Sequence, residues 1–115
     1  MRLLNVFAAL SGLAALTMLV LAAHALQPAL EDLERIKLAA FIQLGAAAAA
    51  LAIANRTGRL NLIAGVLILA GAALFAGTLY TLAITHSRAV VTLAPVGGIA
   101  LLFGWLTLAF AKPGA

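Results

Sequence analysis

The stretch Leu74–Gly98, LFAGTLYTLAITHSRAVVTLAPVGG, is almost wholly apolar up to Thr85. It then passes through a His, a Ser and an Arg before turning apolar again and meeting a Pro and a Gly pair. A single uninterrupted helix does not suit it, because His86, Ser87 and Arg88 cut the apolar run and Pro95 disfavours helix at the residue before it. The reading that fits is the end of one long apolar helix, a short polar turn, and the start of the next. Either that next helix is kinked near Pro95, or Val90 to Leu93 form an extended lead-in and the helix starts near Pro95. Gly97 and Gly98 permit unusual dihedrals or close approach there. Non-helical backbone at membrane depth survives only when it is buried in protein or lines a cavity.

Outward from this stretch the pattern repeats. Four apolar segments, about 3–26, 36–54, 60–85 and 89–111, are separated by short charged breaks. Each reaches the roughly 20 residues that a helix needs to cross a bilayer. No strand-like alternation is present, and backbone in lipid must be satisfied within its own segment, so each is a helix. Composition demands the same solvent. Of 115 residues, 66% are hydrophobic and 9% charged, against about 45–50% and about 25% in a typical soluble domain. So short a soluble chain could not hide that much apolar surface. The expectation is a single all-α domain, an integral membrane four-helix antiparallel bundle in contact with the lipid bilayer, with the fourth helix kinked or broken near Pro95.

The first segment also resembles a secretory signal, with Arg2, an apolar run and Ala22-Ala23-His24-Ala25 in place of a cleavage site. The apolar run is longer than a signal core, so it is expected to stay as a span. The first break, QPALEDLERIK, holds Pro28, all three acids (Glu31, Asp32, Glu34) and two bases. It reads as a short interfacial helix or a helical extension. The second, NRTGR, reads as a tight turn with Gly58 as helix terminator. Arg2, Arg56, Arg59 and Lys112 then share one side of the membrane, and Arg35, Lys37 and Arg88 the other. That bias places both termini in the cytoplasm.

Small residues let helices approach closely in lipid. The stripes on offer are Ala8, Gly12 and Ala15 in the first span, and the run from Gly45 in the second. The third offers Ala70, Ala73, Gly77 and Thr81, and the fourth Gly97, Gly104 and Ala111. They suit a tight bundle and equally self-association.

The polar residues within or beside the spans are the candidate site: His24, Gln43, Tyr80, His86, Arg88, Pro95, Gly97 and Gly98. His24 is either a proton carrier or a neutral His bonded across the bundle. No carboxylate falls inside any expected span to make a relay with it. Gln43 must find a partner in lipid, and His24 is close enough along the chain to be that partner. Tyr80 reads as an interface anchor with its hydroxyl wet. His86 and Arg88 read as headgroup-level residues, or as an anion or lipid-headgroup site. Chemistry is thinly provided. There is no cysteine, the two His and three acids have no metal-ligand spacing, and no nucleophile–base pair or phosphate loop is present. Ser11 has no base beside it. No cofactor, metal or catalytic residue is expected. The formal charge of +4 is carried by scattered cations without an aromatic platform, so nucleic acid is not an expected partner.

These residues resemble a family of small four-helix membrane proteins, domain of unknown function 423, also called transmembrane protein 256-like. The matching positions are Leu74, Phe75, Gly77, Leu79, Tyr80 and Leu82, then Ala94-Pro95-Val96-Gly97-Gly98 and Gly104-Trp105, with Ser11-Gly12 and Ala23-His24 upstream. Two departures stand out. Leu19-Val20-Leu21-Ala22 replaces a glycine-richer lead to the His, and Gln43 stands where the family's second histidine is expected. A mechanism built on paired histidines is therefore disfavoured. The resemblance implies a fold and a bacterial plasma-membrane location, and no activity. The functional expectation is a non-enzymatic interaction protein or accessory subunit of a membrane assembly. The alternative is a component of a small-solute or ion transporter or channel, acting as a homo-oligomer.

Overall fold

The computed structural model describes residues 2–26 and 29–114. Pro28 lies outside them. Helix α1 runs Arg2–Leu21 and widens into a π-helical turn at Ala22–Leu26. Helix α2 runs Leu30–Ile53, and α3 runs Arg59–Thr85. A 3-10 turn at Val91–Leu93 leads into α4, Ala94–Phe110. Four helical stretches are long and apolar enough to cross a bilayer: Arg2–His24, Leu30–Ile53, Arg59–Thr85 and Val91–Phe110. The 27 residues of α3 span about 40 Å at 1.5 Å per residue, more than the roughly 30 Å hydrocarbon core.

The acidic segment is not a separate helix. It forms the first turns of α2, which begins at Leu30, so Asp32 belongs to a helix long and apolar enough to cross a bilayer and is buried against its neighbours. The first break is thus a helical extension ahead of the apolar segment expected at 36–54, not a separate interfacial helix. The cause is visible in the helix itself. Asp32, Ile36, Ala39, Ala40, Gln43, Ala46, Ala47, Ala50 and Ile53 form one buried stripe at helical spacing, and Asp32 is its first member. Pro95 sits in the first turn of α4, where its missing donor costs nothing. The segment ahead of it is a 3-10 turn rather than extended chain. Gly58, with φ of 100°, precedes α3 as its N-cap instead of terminating α2. His86 takes the left-handed conformation that ends α3, with φ of 58° and its N–H on the Leu82 carbonyl at 2.9 Å. Among non-glycine residues, His is one of those that enter this region more readily.

Helix α3 is central. It packs extensively on α2 and on α4, while α1 packs on α2 and only thinly on α3. Within the described residues α4 leans on α3 and barely meets α1 or α2. The main core gathers Leu4 and Ala8 of α1, Ala46, Ala50 and Ile53 of α2, and Ala64, Ile68 and Ala72 of α3. A smaller cluster at the other end joins Ala22, Ile36 and Ala83. Ala-rich packing of this kind brings backbones together where bulky residues would hold them apart.

The α3–α4 contact is the tightest. A Cβ on Gly97 would lie 2.6 Å from the Phe75 backbone nitrogen, and one on Gly104 would lie 2.9 Å from that of Ile68. Gly71 is equally confined, 2.9 Å from both the Gly97 carbonyl and the Leu101 nitrogen. Of the small stripe expected on α4, Gly97 and Gly104 pack against α3, whereas Ala111 lies past the helix end in extended chain. The one expected on α3 does not pack in this way: Ala70 and Ala73 are exposed, and a Cβ on Gly77 would meet nothing within 4 Å. The packing face of α3 is instead Ala64, Ile68, Gly71, Ala72 and Ala76.

Candidate functional site

Gln43 is the polar centre of the molecule. The buried stripe of α2 places it between α1 and α3. Its Nε2 donates to Ser11 Oγ of α1 at 3.2 Å. Its Oε1 accepts from the Tyr80 hydroxyl of α3 at 2.7 Å. One amide thus links three helices with both its ends engaged. Tyr80 is therefore turned inward, and its hydroxyl is not the wet tip of an interface anchor. Ser11, which has no base beside it, is a hydrogen-bond partner. His24 is exposed in the π-helical turn and is not the partner of Gln43, whose amide is taken up by Ser11 and Tyr80.

A second constellation lies at the α2 N-terminus. Asp32 accepts from Arg35 Nη1 at 2.9 Å and pairs with His86 Nε2 at 2.8 Å. Arg35 also reaches Glu31 at 2.7 Å. This group ties the start of α2 to the end of α3. His86 is mostly exposed, and Arg88 is exposed in the loop that follows. Replacing Asp32 by Asn should lower the thermal unfolding midpoint of the purified protein, but by less than Gly97→Ala does. The side chain keeps its shape but loses the charge that Arg35 and His86 address.

A third constellation was not visible as a site in the sequence. Asn61 is fully buried. Its Nδ2 donates to the carbonyls of Thr57 at 2.8 Å and Lys112 at 2.6 Å, and its Oδ1 accepts from Arg56 at 3.3 Å. It clasps the α2–α3 turn to the chain just beyond α4. The available signal was an amide in the first turn of an apolar segment, which the neighbouring charged break concealed.

Pro95 is exposed, Gly97 is buried against α3, and nothing lies within 4 Å of a Cβ on Gly98. The Pro95–Gly98 segment lines neither of two clefts found among the described residues. Those clefts adjoin each other between α1 and α3. One, of about 660 Å³, is lined by Leu3, Phe7 and Leu10 of α1, Leu62, Val66 and Ala70 of α3, and others. The second, of about 460 Å³, continues past Ala14, Thr17, Gly77 and Tyr80. Leu10, Gln43 and Ala73 border both. The sequence-derived candidates therefore separate. Gln43 and Tyr80 meet, His86 joins Asp32, and His24, Arg88 and the Pro95–Gly98 segment stand apart.

Among the described residues no group of three His, Cys, Asp or Glu could hold a metal ion. Among those residues, too, no buried side-chain nitrogen or oxygen is left without a partner. The geometry offers cross-helix hydrogen bonds and an apolar groove. It brings no base to Ser11.

Comparison with known proteins gives a consistent picture. The model of DUF423, described as a protein of unknown function, matches residues 20–98. The UPF0382 inner membrane protein YgdD of Escherichia coli K12 is 31% identical over 110 residues, covering 90% of this chain and 84% of the relative. A UPF0382 membrane protein of Haemophilus influenzae is 36% identical over 110 residues, covering 89% and 86%. A third, from Staphylococcus aureus, is 42% identical over 48 residues, covering 42% and 39%. No solved structure matches the chain significantly.

Proposed function

Since the chain belongs to the DUF423 family of membrane proteins, whose function is unknown, we propose that it serves as a non-enzymatic interaction or accessory subunit of a membrane assembly. The observation that carries this reading is the saturation of its polar groups. Gln43 spends both ends of its amide on Ser11 and Tyr80. Asp32 is held by Arg35 and His86. Groups engaged in this way hold helices together, and a reacting substrate would have to displace them. The outer face of α4 supports the same reading. Leu102, Phe103, Trp105, Leu106 and Phe110 are all exposed, and such a face meets either lipid or another spanning helix.

In this proposal the four helices form an antiparallel bundle with both termini in the cytoplasm. The meeting of Leu4, Ile53 and Gly65 at one end, and of Ala22, Ile36 and Ala83 at the other, supports the alternation. The larger cation count at Arg2, Arg56, Arg59 and Lys112 supports the orientation. A second reading, a transporter or channel component acting as a homo-oligomer, is favoured by one observation: Gln43 borders both clefts.

Gentle extraction from native membranes followed by native mass spectrometry tests the choice. A reproducible complex with other protein chains is expected. A homo-oligomer alone, with solute flux after reconstitution, would overturn the subunit reading and establish the second.

A further inference from the structure

The two adjoining clefts make one apolar groove between α1 and α3, reaching from Leu3 and Leu62 at one end to Thr17 and Tyr80 at the other. Leu3 to Thr17 covers about 21 Å of helix, longer than the roughly 15 Å depth of one leaflet's hydrocarbon. The polar side chains along it each have a partner within the protein, Gln43 bonding to both Ser11 and Tyr80 and Thr17 to the Leu13 carbonyl. The groove therefore asks nothing polar of its occupant.

Charge at its mouth is one-sided. Arg59 lies one turn before Leu62 on the same face of α3, and Arg2 adjoins Leu3 at the start of α1. Arg56 and Lys112 lie at this end too, gathered around Asn61. The three acids are all at the opposite end, where Arg35, Lys37 and Arg88 balance them. The whole formal charge of +4 thus sits at the end where the groove opens toward the headgroups.

We propose that this groove is a binding site for an anionic phospholipid. One acyl chain lies between α1 and α3, and the phosphate sits at Arg59 and Arg2. A second copy of the chain suits the groove less well. Packed side by side in the same orientation, two copies would bring their cationic ends together. The rim also presents Leu3, Phe7, Leu10, Leu62 and Val66, whereas closely packed helices favour small residues. The proposal goes beyond the subunit reading and does not depend on it, since lipid adducts and protein partners differ in mass.

The test uses the full-length, delipidated protein in detergent, titrated with phosphatidylglycerol or phosphatidylcholine of identical acyl chains and read by native mass spectrometry. With about fivefold in affinity for each arginine near an anionic headgroup, the preference for phosphatidylglycerol is expected to be roughly thirtyfold. Arg2→Gln with Arg59→Gln should bring the two lipids to near parity by weakening phosphatidylglycerol binding far more than phosphatidylcholine binding. Ala73→Phe, or Ala70→Phe, fills the groove from an exposed position and should abolish both, with the thermal unfolding midpoint kept. Inorganic phosphate alone should leave no adduct. Equal binding of the two lipids by the unaltered protein would overturn the proposal. So would a preference that survives loss of both arginines, phosphate binding as well as the lipid does, or a groove-dependent dimer or protein complex in place of lipid.

Discussion

Gly97→Ala is expected to lower the thermal unfolding midpoint of the detergent-solubilised protein sharply, while Gly98→Ala next to it leaves the midpoint unchanged or raises it. The new methyl at 97 would lie 2.6 Å from the Phe75 nitrogen, 2.7 Å from the Gly71 carbonyl oxygen and 3.0 Å from the Phe75 Cα. All three are backbone atoms, so α3 and α4 must separate. Forcing an extra methyl into such a contact costs about 1–3 kcal/mol. Separation also weakens the whole α3–α4 interface, which is almost the only packing α4 has in the described residues. At 98 a Cβ meets nothing within 4 Å, and replacing Gly by Ala in a helix gains up to about 1 kcal/mol. Equal effects of the two substitutions would mean that α4 does not approach α3 through Gly97.

Asn61→Leu is the second large effect. Leucine fills a similar volume but removes three hydrogen bonds at once. The Thr57 and Lys112 carbonyls then lose a donor each and Arg56 an acceptor, at about 0.5–1.5 kcal/mol net per hydrogen bond. A loss of about 2–4 kcal/mol is expected, since water near the membrane surface restores part of it. Hydrogen exchange should localise the damage. The amides of the α2–α3 turn and of the last turn of α4 should exchange faster, while those around Gln43 keep their protection. Uniform acceleration throughout the chain would show that Asn61 is not a local clasp.

The four spans are legible in the sequence because lipid leaves so little choice: the apolar length and the charged breaks settle them. Which side of each helix packs is legible only where small residues form a single stripe. Helix α1 has one such stripe, and Ala8 and Ala15 are buried in it. Helix α3 has small residues on several sides. Ala70, Ala73 and Gly77 compete with Ala64, Gly65, Gly71, Ala72 and Ala76, and periodicity alone cannot choose between them. The decision rests with the partners, Leu4 and Ile53 against Gly65 and the backbone of α4 against Gly71.

Polar residues are harder still. Tyr80, five residues before the end of α3, has the sequence position of an interface anchor. Its inward turn is set by Gln43, a residue 37 positions away. Asp32 sits among charges that read as a loop, yet it continues the buried stripe of α2 by helical spacing. Gln43 was recognisable as a residue needing a partner. That the partners are Ser11 and Tyr80 rather than His24 depends on how three helices are rotated, which no local pattern encodes.

Gln43 acts as a structural staple joining α1, α2 and α3. A double-mutant cycle tests this role most directly, comparing the unfolding free energies of the unaltered protein, Gln43→Leu, Tyr80→Phe and the double variant in the same micelles. Interhelical hydrogen bonds in membrane proteins contribute about 0.6 kcal/mol on average and up to about 1.7. A coupling of about 1 kcal/mol between the two positions is predicted, because the 2.7 Å bond is short and shielded. Strict additivity, within about 0.3 kcal/mol, would contradict the staple and leave the Gln43 amide free for a ligand.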